Sequence, residues 1–240
     1  MKKELLKVVS HTPLNATVYE LVLAGGSDMR AGQFVEVKAE GFYLRRPISV
    51  ADCDEGRLVL LVKRVGEGTK KLDGLRAGDE VDVLTCLGNG FDATAQKPLL
   101  IGGGIGCAPL YKLAREFARK GVRPLIALGF AGAEEIYYEN EFKKFGDVIL
   151  ATDDGSRGFH GNAVQAVKAS GAEFDRFYAC GPLPMLRAVS AAFPSGQVSL
   201  EARMGCGFGV CMGCSIVTTR GYARVCKEGP VFEASEVVWQ

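Results

Sequence analysis

Four of the eight cysteines in this 240-residue chain fall in one short stretch, in the order Cys206-x4-Cys211-x2-Cys214, then eleven residues, then Cys226. Three thiols on one loop, with a fourth returning from a following hairpin, is the plant-type spacing that holds a [2Fe–2S] cluster. Gly205, Gly207, Gly209 and Gly213 interleave with them. A loop wrapped round an inorganic core needs close backbone approach and left-handed turns that a Cβ obstructs. Other uses of four cysteines fit less well. Structural zinc sites usually take two C-x2-C pairs joined by a longer loop, whereas here one spacing is x4 and the last cysteine stands alone. Two disulfides need an oxidising compartment. The opening MKKELLKVV carries neither an apolar run nor a small-residue cleavage site, so a cytoplasmic location is expected.

Composition excludes several function classes. No run of about eighteen apolar residues occurs, which argues against a membrane span. The 29 basic and 28 acidic residues leave no field that would recruit nucleic acid or anionic lipid, so neither is expected as a partner. The 48% hydrophobic content is enough for the cores of two domains and a small appendage.

Residues 1 to about 94 read as short strands separated by turn signals: LLKVVSHT, TVYELVLA, QFVEVKA, RPISVAD, RLVLLVKRV and DEVDVLT. Such spacing predicts a small closed antiparallel barrel. Within it, Arg46-Pro47-Ile48-Ser49 places a guanidinium and a hydroxyl on one strand, and Val65-Gly66-Glu67-Gly68-Thr69 reads as a flexible turn. Together these could cradle a pyrophosphate through bidentate guanidinium contacts and backbone N–H donors. A charged strand edge and an ordinary turn account for the same residues.

From Lys97 the pattern changes. The apolar run Pro98–Ile101 leads into Gly102-Gly103-Gly104-Ile105-Gly106-Cys107-Ala108-Pro109 and then the helical run LYKLAREFARKG. Strand, glycine loop and helix form a dinucleotide-binding unit, although Cys107 stands at the third glycine position. Strands are expected at 124–130, 147–151, 176–179 and 197–202, with helices near 162–170 and from about 184. That alternation predicts a doubly wound parallel α/β domain over 95–200, followed by an iron–sulfur segment at 201–240. Its ligand crevice should be lined by the loops at the strand ends: 102–109, the Thr152–Ser156 loop containing Asp154, and Cys180-Gly181-Pro182. After the second strand, Gly129–Glu135 offers two carboxylates and no arginine, which favours NAD(H) over NADP(H); Arg157 lies close enough in sequence to interfere.

Arg46-Pro47-Ile48-Ser49, Gly66-Glu67-Gly68-Thr69, Gly102–Gly106 with Pro109, Cys180-Gly181-Pro182 and the cysteine tail occur in the order seen in the ferredoxin–NADP reductase superfamily. Over essentially its whole length the chain resembles, within that superfamily, the electron transfer subunits of class 1B dihydroorotate dehydrogenases. The resemblance implies FAD on the barrel, a [2Fe–2S] cluster held by Cys206, Cys211, Cys214 and Cys226, and NAD as the nucleotide. It also implies an FMN-containing dihydroorotate dehydrogenase catalytic subunit as partner, in a heterotetramer with two subunits of each kind serving pyrimidine (UMP) biosynthesis. Arg46, Pro47, Ile48, Ser49, Lys63, Arg64, Val65, Gly68 and Thr69 would hold FAD. Gly102, Gly103, Gly104, Gly106, Asp154 and Gly181 would take the nicotinamide nucleotide, and Cys180 would lie near the reacting carbon.

The rival within the superfamily is the FAD and iron–sulfur subunit of an NADH-dependent ferredoxin:NADP oxidoreductase or sulfide dehydrogenase. Those proteins resemble this chain but typically supply one aspartate ligand, where Arg203-Met204-Gly205-Cys206 stands here. A departure from relatives is Cys86, where proline is common. With two histidines, His11 and His160, neither in a catalytic motif, the chain lacks a base for dihydroorotate and reads as an electron relay. Cys53, Cys86 and Cys107 are expected to be buried thiols acting as small apolar groups.

Overall fold

The computed structural model describes residues 1–54 and 56–239. Six strands close into an antiparallel barrel: β1 (Lys2–Pro13), β2 (Val18–Ala24), β3 (Phe34–Val37), β4 (Arg46–Asp54), β5 (Arg57–Lys63) and β6 (Glu80–Leu87), in the order β1-β2-β5-β4-β3-β6. Alternation is what sends Leu21, Leu23, Leu58, Leu60, Val35, Val37, Val81 and Val83 into one interior. Closure leaves no free edge.

The Val65–Thr69 segment is not the flexible turn expected from its glycines. It opens helix α1 (Glu67–Asp73). Thr69 Oγ1 accepts the amides of Val65 and Gly66 at 3.0 and 3.2 Å and donates to the Gly66 carbonyl at 2.9 Å. One hydroxyl thereby satisfies groups that a helix start leaves unpaired.

The second domain contains β7 (Pro98–Gly103), a 3-10 turn over Gly104–Cys107, α2 (Ala108–Arg119), β8 (Leu125–Phe130), α3 (Glu139–Lys143), β9 (Asp147–Thr152), β10 (Phe159–His160), α4 (Ala163–Ser170), β11 (Arg176–Cys180), α5 (Leu183–Ala192) and β12 (Gly196–Ser199). The sheet runs β10-β9-β8-β7-β11-β12 in parallel. The chain leaves β7 towards β8 on one side and later fills β11 and β12 on the other, so the switch point lies at the carboxyl end of β7. β10 has two residues and escapes any periodicity reading.

After residue 200 the chain forms the cysteine loop and a hairpin, β13 (Ser215–Thr218) with β14 (Gly221–Arg224). It then adds β15 (Val231–Glu233) antiparallel to β12. The 201–240 segment is therefore joined to the nucleotide sheet by a strand of its own.

Barrel and α/β domain meet through α2 and β4. Lys112, 4% exposed, donates to the Cys53 carbonyl at 3.1 Å, and Arg115 reaches the same oxygen at 2.8 Å and the Asp52 carboxylate at 2.5 Å. Buried cations of this kind are tolerable because each is paired and hydrogen-bonded. Cys53 and Cys107 are buried as expected, but Cys86 is half-exposed with φ +57°. It sits at the irregularity in the pairing of β6 with β3, so it is not the buried thiol the sequence suggested. Among the described residues, no helix is long and apolar enough to cross a membrane.

Candidate functional site

All three parts of the chain line one cavity of about 270 Å3. The barrel contributes Phe34, Arg46, Pro47, Ile48, Ser49, Leu61 and Lys63, with Val65 and Thr69 from the start of α1. The nucleotide domain contributes Ile105, Gly106, Ala108, Pro109, Cys180 and the end of β12, and the C-terminal segment adds Met204 and Pro230. The strands explain this convergence. Ile48 pairs with Val35 in the barrel wall, and Cys180 lies beside Gly102 at the switch point.

The sequence-predicted residues fall into distinct groups. Arg46, Pro47, Ile48, Ser49, Lys63, Val65, Thr69, Gly106 and Cys180 come together in the cavity. Gly68 lies under Arg46, because a Cβ there would fall on the guanidinium. Arg46 also sits 4.6 Å from the centre of the Phe42 ring. Arg64 does not line the cavity. It forms a two-point pair with Asp73 at 2.8 and 2.9 Å and covers Tyr19, while Tyr19 donates to the Thr69 carbonyl at 2.9 Å. Its work is to hold α1 on the barrel.

In the glycine turn, a Cβ at Gly102 would meet Cys107 Sγ at 2.7 Å, and Cβ atoms at Gly103 and Gly181 would meet Met185 at 2.5 and 2.6 Å. The Gly104 carbonyl accepts from Tyr137 at 2.8 Å. These residues shape the turn, and Gly106 and Ile105 face the cavity. Asp154 lies apart at the end of β9, exposed and bonded to Ser156. It flanks Gly132 together with Glu134, at 2.8 and 2.7 Å from where a Cβ would stand. Arg157 is held by Glu139 at 2.7 Å.

Sequence reasoning missed Phe34, Leu61, Met204, Pro230 and Ser199–Ala202. Leu61 was findable, two residues before Lys63 on the same strand face. The strand-end rule would have found 199–202. Phe34 and Pro230 carry no local signal.

Burial pushes the Cys180 thiol up to about 12, so at neutral pH it is a neutral, unreactive wall. Desolvation raises Cys107 and Tyr137 as well.

The four tail cysteines form two facing pairs. Cys206 is tied to Cys211, and Cys214 to Cys226, by a backbone amide of the later residue that points at the sulfur of the earlier one. Cys206 Sγ accepts the amides of Val210 and Cys211 at 3.2 and 3.5 Å, and Cys214 Sγ accepts that of Cys226 at 3.4 Å. Desolvation works against a Cys206 thiolate, but the amides of Cys211, Phe208 and Val210 outweigh it and draw the thiol down to about 6. Burial and the neighbouring Cys214 push Cys226 up to about 12. Among the described residues no three His, Cys, Asp or Glu side chains converge as one ion would need. Two cysteines for each of two irons, with amides facing sulfur, would fit a binuclear cluster better than a single tetrahedral zinc.

Gly207, at φ +74°, turns against buried Glu36, on whose carboxyl a Cβ would fall. Burial raises Glu36 to about 7, and one of its oxygens has no hydrogen-bond partner. On the outer side, Val210 and Met212 are 73% and 52% exposed. The apolar tip of the loop therefore faces away from its own barrel.

Residues 201–238 match the family described as the iron–sulfur cluster binding domain of dihydroorotate dehydrogenase B. The dihydroorotate dehydrogenase B (NAD(+)) electron transfer subunit of Geobacillus sp. (strain WCH70) is 44% identical, covering 99% of each chain. Its namesake from Fusobacterium nucleatum is 41% identical, again over 99% of each. Among solved structures, an NADH-dependent reduced ferredoxin–NADP oxidoreductase aligns with TM-score 0.90 at 29% identity, over 98% of this chain and 90% of that one. A cytochrome P450 reductase from Amycolatopsis aligns with TM-score 0.69 at 26% identity, over 80% of this chain and 65% of that one.

Proposed function

The chain belongs to the family of dihydroorotate dehydrogenase B electron transfer subunits, and from that premise we propose that it carries electrons from a dihydroorotate-oxidising catalytic subunit to NAD+. One observation carries the reading: barrel, nucleotide domain and cysteine segment all line the same cavity. FAD and a [2Fe–2S] cluster, when bound, supply the exchange between single electrons and a hydride.

The protein's own residues bind, orient and exclude. Arg46, Ser49, Lys63 and the backbone N–H of Thr69 would hold the flavin and its phosphates, with Gly68 making room for the guanidinium and Pro47, Ile48 and Val65 shaping the wall. The 102–106 turn and Gly181 would admit the nicotinamide nucleotide at the switch point. Cys180, neutral at its depth, would set the floor against which the nicotinamide rests and offers no base. Cys206 with Cys211 would hold one iron, and Cys214 with Cys226 the other.

The partner is a catalytic subunit, proposed to carry FMN and to form a heterotetramer with two copies of each chain. The exposed tip Phe208–Met212, apolar beside the cysteines, suits its docking surface. The purified chain should show flavin and iron–sulfur absorption together and reduce artificial acceptors with NADH. It should oxidise dihydroorotate after the partner is added and not before. Cys211→Ser should lose the iron–sulfur bands and keep the flavin. A colourless protein with stoichiometric zinc, or co-purification with a ferredoxin-linked partner, would overturn the reading.

A further inference from the structure

We infer that Asn89 is a positioning residue that locks the Cys226 arm onto the flavin-bearing barrel and thereby fixes the cluster relative to the flavin. This rests on the reading of Cys226 as a ligand and of the cavity as the flavin site. Asn89 lies just beyond β6, in the Thr85–Phe91 stretch that no cofactor role explains. Its backbone N–H donates to the Gly229 carbonyl at 2.7 Å. Its Nδ2 donates to the carbonyls of Glu228 and Val231 at 2.9 and 2.7 Å, and its Oδ1 accepts from the Val231 amide at 2.9 Å. Two carbonyls can only accept and an N–H can only donate, so these partners force the amide's orientation and fill both of its donors.

The contact is a close one. A Cβ on Gly88 would stand 2.5 Å from Pro230 Cδ and 2.8 Å from the Gly229 carbonyl. The arm it grips has a cluster ligand at one end and a cavity wall at the other, since Cys226 and Pro230 are separated by three residues and Pro230 lines the cavity beside Phe34.

Both ends are tied. On the barrel side, Gln33 Nε2 donates to the Gly88 carbonyl at 2.8 Å, and the Gln33 carbonyl accepts from Val50, the residue after Ser49, at 3.0 Å. On the arm, the amides of Lys227, Glu228 and Gly229 all reach the Arg224 carbonyl, at 3.1, 2.9 and 3.2 Å. The Leu200 amide donates to the Pro230 carbonyl at 2.9 Å. A turn closed this tightly passes a displacement at Glu228 on to Cys226 instead of absorbing it. Asn89 touches neither proposed centre, so its effect should appear in their relative placement.

The test compares the cofactor-loaded chain with Asn89→Ala and Asn89→Asp. The carboxylate of the Asp variant keeps an acceptor for Val231 but turns its other oxygen towards two carbonyls, so it should be at least as damaging as Ala. Three readings are taken: FAD and iron content, the rate at which NADH delivers two electrons to the flavin, and the rate at which the cluster accepts one of them. Both variants should keep FAD, iron and the first rate within about twofold, while the second falls about tenfold or more, as for other small misplacements of reacting groups. Amide hydrogen exchange at Gly229 and Val231 should rise in both, with β7 to β9 unchanged. An unaltered second rate with unaltered exchange overturns the inference. So does a joint loss of FAD, iron and both rates, the signature of a general structural role. If the unmodified chain lacks iron and flavin, the functional reading fails, and the exchange comparison still decides whether Asn89 holds the arm.

Discussion

Gly68→Ala separates flavin binding from fold stability, because the two should move in opposite directions. The new Cβ would fall on the Arg46 guanidinium, so that side chain would have to swing away from its place beside the Phe42 ring. Charge-assisted hydrogen bonds contribute roughly 1.5–3 kcal/mol, so expelling Arg46 should weaken FAD binding by about 10- to 150-fold. Helix α1 gains from the same change, since alanine is favoured over glycine in a helix by up to about 1 kcal/mol. The assay is quenching of FAD fluorescence on titrating flavin-stripped protein, run beside urea unfolding. Gly66→Ala is the control. It lies at the same helix start, and nothing stands within 4 Å of its Cβ position. Equal FAD affinity in Gly68→Ala and the unmodified chain, or equal losses in both variants, would refute the steric argument.

Glu36 titrates near 7 in the folded chain against an ordinary 4.5. The folded state thus keeps a proton that the unfolded chain releases, and its contribution to stability, full below about 4.5, is lost as pH rises through about 7. Glu36→Gln should therefore be more stable than the native chain by about 1–3 kcal/mol at pH 8, converging with it towards pH 5. Urea unfolding at the two pH values reads this, and a pH-independent difference would count against burial as the cause. For nucleotide choice, kcat/KM should favour NADH. Glu139→Ala, which frees Arg157, combined with Glu134→Ser should raise NADPH efficiency about tenfold relative to NADH. An unmoved ratio would show that these groups do not meet the ribose.

What the sequence made legible was whatever repeats or is spaced. The barrel strands alternate, the parallel strands are apolar runs closed by glycine, and the cysteines keep a fixed interval, so the three parts and most cavity residues could be named in advance. What was lost depends on long-range contact. Arg64 stands one residue from Lys63, yet strand alternation turns it to the opposite face, where Asp73 captures it. The Val65–Thr69 segment has the glycines of a turn, and a single threonine hydroxyl converts it into a helix start. Pro230 reaches the cavity because Asn89 holds its neighbours, a pairing across more than a hundred residues. Strand β15, at three residues, is too short for any period to register.

That short strand has a consequence for how the protein fails. By pairing with Gln197, Val198 and Ser199, β15 covers what would otherwise be the bare rim of the parallel sheet, and bare rims invite other chains to add on. Only four residues separate the guard from Cys226. Detaching β15 would therefore uncover the Gln197–Ser199 edge, and the expected result is self-association through β12 with the barrel still folded.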